Sequence, residues 1–161
     1  MSELDVPLTL LDPEGGWINA PVHVHQLHGR PVLLHFWNER DLGARAQLPR
    51  LKALLDTFIP RGLQVIGVHV PQPGEELGRA MDTNRLESLS RRLGFQHPVA
   101  TDDGSMATAY GVEGTPTYLV YDDTLTLRSR VASAEELESV LVPLLEQLTR
   151  STAFADGASA P

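Results

Sequence analysis

The stretch "FWNERDLGARAQLP", Phe36 to Pro49, joins an apolar run to a helical pattern, and its reading decides the fold. Immediately upstream, "VLLHFW" (Val32 to Trp37) is a compact apolar run bounded by the turn residues of "LHGRP". That is the pattern of a buried central strand. From Asp41 the period changes: Leu48, Leu51, Leu54, Leu55 and Phe58 recur at three and four residues, so an amphipathic helix is expected up to Pro60–Gly62. Asp41 stands where a helix N-cap belongs, and Pro49 falls inside the helix, where it should kink it. "LQVIGVHV" (Leu63 to Val70) follows as a second buried strand rich in β-branched residues. A β-α-β order implies a parallel pair joined by a right-handed crossover.

Working outward, Leu86, Leu89 and Leu93 share one helical face, and Gly94 is placed to stop that helix. The preceding stretch is less regular, with Gly78 inside it. "HPVATD" is extended and leads to a turn at Asp102–Gly104, then a short helix through Met106 to Tyr110. "TYLVYDDTLTLRSRV" offers two strands about Asp122–Asp123–Thr124, an antiparallel hairpin. Ser133 and Glu136 form a capping box for a last helix whose buried stripe is Leu137, Val140, Leu141, Leu144, Leu145 and Leu148, with Pro143 inside it. At the other end, two apolar stretches about Asp12–Gly16 predict a small N-terminal β-hairpin. The stretch 151–161, small and unpatterned, is expected to be a disordered tail.

Composition narrows the function. With 161 residues and 42% apolar content, one α/β domain is expected over residues 1–150. A net charge of −8, with 13 scattered basic residues, disfavours nucleic acid as a partner. No run approaches the ~18 apolar residues of a membrane helix, so no membrane contact and a cytoplasmic location are expected. There are no cysteines. Disulfides, thiolate metal sites, thiol nucleophiles and thiol–disulfide exchange all need sulfur and are excluded. Nucleotide, hydrolase and zinc-protease signatures are missing as well, and no cofactor is expected.

Three stretches carry a resemblance. "FWNERDLGARAQLP" resembles, without a gap, the "FWATWCxPCRxExP" segment of TlpA/ResA-type thiol–disulfide oxidoreductases, with Phe36, Trp37, Arg45, Ala46 and Pro49 on matching positions. Asp41 and Ala44 stand at the two cysteine positions, and Arg40 at the preceding tryptophan. "VEGTPTYLVYD" (Val112 to Asp122) resembles the family's "VxGxPTxxxID" loop, whose proline is cis; the resemblance implies that Pro116 is that proline, with Thr115 before it. "VIGVHVPQ" and "HPVATDDGSMATAYGV" look like the DipZ-type branch. The fold implied is a thioredoxin-like three-layer α/β/α sandwich with a mixed central sheet and an N-terminal hairpin extension. The activity does not follow, because a carboxylate at Asp41 can cap a helix but cannot attack a disulfide, and Ala44 cannot resolve one.

The main expectation is therefore a redox-inactive thioredoxin-like protein that binds a peptide or protein partner through the former active-site groove. Trp37, Arg40, Asp41, Ala44, Thr115 and Pro116 are its candidate residues. The alternatives are an enzyme of non-thiol chemistry at the same groove, a protein alike in fold only to thiol–disulfide interchange proteins, or a subunit that buries the groove against another protein. Oligomeric state is open. Among the histidines, His23, His25 and His28 lie close together in "HVHQLH", in the turn before the central strand, and no metal site is expected there. His35 and His69 fall inside apolar strand patterns and read as packed core residues on adjacent strands; His97 reads as a loop residue. Asp102–Asp103–Gly104 lacks the further ligands of a calcium loop and reads as a turn.

Overall fold

The structure is a computed structural model that describes residues 16–27 and 29–159, with side chains through 147 except at 25. Six strands form one sheet in the order β1-β4-β3-β2-β5-β6. Strand β2 (Val32–Trp37) lies at its centre, parallel to β3 (Gln64–His69) and antiparallel to β5 (Thr117–Tyr121). Strand β4 (Val99–Thr101) extends the parallel part, and β6 (Leu127–Val131) closes the hairpin with β5. The expected N-terminal hairpin lies largely outside the described residues; of that stretch, β1 (Trp17–Ile18) is described and runs antiparallel to β4.

All six residues of β2 are buried, because helices cover both faces. Pleating sends Leu33, His35 and Trp37 to one face and Val32, Leu34 and Phe36 to the other. The first face packs against α1 (Leu42–Phe58), α3 (Thr83–Leu93) and α5 (Ala134–Ser159), through Leu48, Leu51, Leu86, Leu89, Leu137 and Leu141. The second packs against Met106 and Tyr110, in and just after the short helix α4 (Ser105–Ala109), and against Leu27. This is the three-layer sandwich.

Helix ends follow their local chemistry. Asp82 caps α3 (Oδ1 to Asn84 N 3.1 Å and Arg85 N 3.2 Å), and Gly94 ends it in the left-handed region at φ 75°. Before it, the irregular stretch forms only the single turn α2 (Leu77–Ala80). Ser133 Oγ accepts from Glu136 N at 3.1 Å at the start of α5. Gln47 Oε1 accepts from Ala134 N at 2.9 Å, tying α1 to that same end. Helix α1 continues through Pro49 to Phe58, so the proline's lost hydrogen bond does not interrupt it. The backbone of α5 runs on as helix through Ser159. Once α5 is nucleated and anchored, each added residue bears only the small cost of propagation.

Candidate functional site

The parallel strands point their C-terminal ends at one edge of the sheet, where α/β proteins place their sites. Asp41 follows the end of β2 there as the N-cap of α1, in an extended conformation (φ −78°, ψ 106°). Its Oδ1 accepts from Gly43 N at 3.0 Å and Ala44 N at 3.2 Å, and its Oδ2 accepts from Thr115 Oγ1 at 2.5 Å. One carboxylate thus satisfies the helix amides and clamps the loop before β5. The Thr115–Pro116 peptide is cis. The Thr115 hydroxyl is the largest influence and holds the Asp41 carboxyl below its usual range; burial opposes it, and the Ala44 and Gly43 amides add smaller lowering effects. A permanently ionised, fully bonded carboxylate is a poor proton carrier at neutral pH.

Beside it lies a groove of about 150 Å³ lined by Asn38, Asp41, the loop Val70–Pro73 and the loop Val112–Thr115. Of the six candidate residues, Asp41 and Thr115 line it. Trp37 and Ala44 do not: each is 1% exposed and faces the core, so neither presents a surface to a ligand. The pleat explains Trp37, which shares a face with Leu33 and lies under α1. Arg40, with a side chain 48% exposed, sits on the rim 4.0 Å from Glu75, and half-buried Pro116 follows the clamped threonine. Sequence reasoning missed Asn38, whose Nδ2 donates to Val70 O (2.6 Å) and Glu75 Oε1 (2.9 Å) and whose Oδ1 accepts from Arg40 N (2.7 Å). An amide directly after the apolar run of the central strand was the available signal. Glu39 pairs with Arg85, fixing α3 against the same loop.

Beneath the groove, a row of polar aromatics is buried on the α1 face. His35 stacks on Tyr118 (centroids 5.1 Å, planes 13°), and Trp37 meets His69 edge-on at 5.0 Å. No side-chain nitrogen or oxygen of His35, Trp37, His69 or Tyr118, nor Nε2 of His97, has a hydrogen bond of normal geometry among the described residues. Burial lowers all three imidazoles. His69 falls to about 4 despite the opposing influence of Glu75 and the Ala80 backbone, and His97 falls to about 4; His35 is lowered well below its ordinary value, with help from His97. His97 lies in the loop before β4, as expected, with its side chain buried. The cluster at His23, His25 and His28 lies mostly outside the described residues, and among the described residues no three histidine or carboxylate side chains converge on a metal position. At the expected turn, Asp102 accepts from Met106 N (3.0 Å) and Ala107 N (2.9 Å), spending both oxygens on α4.

Residues 7–130 match the model described as "AhpC/TSA family". The chain belongs to the AhpC/TSA family. Among its relatives, Protein DipZ of Mycobacterium tuberculosis (strain CDC 1551 / Oshkosh) is 27% identical over 70% of this chain and 16% of its own length. The thiol-disulfide oxidoreductase ResA of Halalkalibacterium halodurans is 25% identical over 75% of this chain and 62% of its own. The chain therefore spans less than two thirds of either relative. A solution structure of a thioredoxin-like protein in the oxidised form superposes with a TM-score of 0.77 at 27% identity, covering 91% of this chain and 99% of that one. A thiol-disulfide isomerase from Corynebacterium glutamicum gives 0.73 at 24% identity, covering 87% and 96%. Against relatives named for thiol chemistry, this member of the family has no cysteine. Among the described residues, no helix is long and apolar enough to cross a membrane.

Proposed function

We propose that this chain is a redox-inactive, thioredoxin-like binding protein that holds an extended peptide or protein segment in the groove between Asp41 and the 112–115 loop. The observation that carries the reading is the Asp41 clamp. A carboxylate in the position of an attacking sulfur accepts from Gly43, Ala44 and Thr115 together, which keeps the groove assembled while leaving it no thiol nucleophile. An enzyme using Asp41 as acid or base would need a raised pKa, and the carboxyl is shifted the other way.

The loop also carries a backbone able to pair. Among the described residues, the N–H and C=O of Thr115 enter no backbone hydrogen bond. An extended segment laid alongside would take those groups as an added strand does, with main-chain bonds giving affinity. The test is an amide NMR titration of labelled protein with a pool of extended peptides. Saturable shifts at Asp41 and Glu113–Thr115 are expected. A well-dispersed spectrum that stays unchanged to millimolar peptide would overturn the proposal.

A further inference from the structure

A second cleft, of about 690 Å³, opens at the opposite end of the sheet, between the last turns of α1, the start of β3, the 94–98 loop, residues 21–27 and Arg30. Its volume falls in the range of small-molecule sites, roughly 300–1,000 Å³. The lining is mixed: Leu55, Val65 and Phe95 close its floor almost wholly buried, its accessible apolar surface includes Ile59 (43% exposed) and the half-buried Val22 and Pro98, and Gln26 and Gln96 stand among its polar members. The His97 ring closes the inner wall and is uncharged at neutral pH.

The walls are held in place without a ligand. Asn19, at φ 73°, donates from Nδ2 to His97 O at 2.7 Å, and Ser90 Oγ donates to Phe95 O at 3.0 Å, fixing the 94–98 loop. Gln64 Nε2 donates to Leu27 O at 2.8 Å, fixing the facing segment. A site whose loops are already ordered loses little entropy on binding. Charge at the rim is uneven. Lys52 is neutralised by Asp56, with Nζ 2.5 Å from Oδ1. Arg30 donates to the neutral Gln64 Oε1 at 3.0 Å and has no carboxylate partner among the described residues. On a chain of net charge −8, this leaves a local cation at the mouth of the cleft.

We infer that this cleft binds a small amphipathic carboxylate, its hydrocarbon body on Val22, Ile59 and Pro98 above the floor at Leu55, and its head group on Arg30. A guanidinium takes a carboxylate in two parallel hydrogen bonds, while the apolar body gains from burial whatever its head. The test compares octanoate, octanol and octylammonium by NMR titration of the full chain, with an Arg30→Glu variant alongside. Octanoate should give saturable shifts at Leu55, Val65, Phe95 and His97, bind about tenfold tighter than octylammonium, and weaken by about tenfold or more in Arg30→Glu. Octanol binding should be the same in both proteins, which separates loss of the charge from loss of the fold. Equal affinity for the anion and the cation, octanoate binding unchanged in Arg30→Glu, no saturable shifts, or shifts confined to Asp41–Thr115 would each overturn the inference.

Discussion

Acidification from pH 7 to pH 5 should destabilise this protein by about 4 kcal/mol through two imidazoles alone. His69 and His97 have folded-state pKa values of about 4 against an ordinary value of 6.5, and burial is the leading cause for both. A folded pKa below the unfolded one means that the unfolded chain binds the extra protons. The stability is therefore complete above ~6.5 and drains away as pH falls toward ~4. Linkage between 6.5 and 4 gives roughly 2 kcal/mol per histidine on moving from pH 7 to pH 5, and His35 shifts in the same direction. Asp41 and Asp103, lowered from 3.8, lose their contributions only in still more acid solution. Against a typical total of roughly 5–15 kcal/mol the loss is large. Urea unfolding at half-unit pH steps measures it, and a His69→Gln/His97→Gln variant, folded at pH 7, should show a much flatter slope. Ring-proton NMR supplies the independent check. A stability profile level from pH 7 to pH 5, or imidazoles titrating near 6.5 in the folded protein, would refute the reasoning.

Other substitutions probe the site and the sheet. Asp41→Ala should cost about 1 kcal/mol as a lost cap, and a cycle with Thr115→Val should give a coupling of about 1 kcal/mol for their hydrogen bond; additive single effects would mean the clamp is not formed. Gly67→Ala places a Cβ 3.2 Å from Val99 Cγ2, 3.3 Å from His97 Nε2 and 3.4 Å from Trp37 Nε1, so thermal unfolding should report a loss of about 1–3 kcal/mol. Asp41→Cys with Ala44→Cys puts two thiols on the first turn of α1, and thiol titration after mild oxidation should find them paired. A pair that stays reduced would count against the match to "FWATWCxPCRxExP".

Much of this was legible from the chain. Local period and caps locate β2 at Val32–Trp37 and α1 from Asp41, because apolar spacing and a side-chain acceptor act over a few residues. The lack of cysteine settles that thiol chemistry is impossible without any structure at all. Tertiary placement decided the rest. Whether Trp37 faced the groove or the core depended on which side of the pleat α1 covers, and it faces the core. That Asp41 clamps Thr115, 74 positions away, follows from β5 lying antiparallel beside β2. His97 joins His35 and Trp37 because its loop feeds β4 into place beside β3, and Gly67, lacking a side chain, lets the rings approach the sheet. Hydrogen-bond acceptors and periodicity are properties of neighbours along the chain; burial, and with it the charge state of these imidazoles, belongs to the packed sheet.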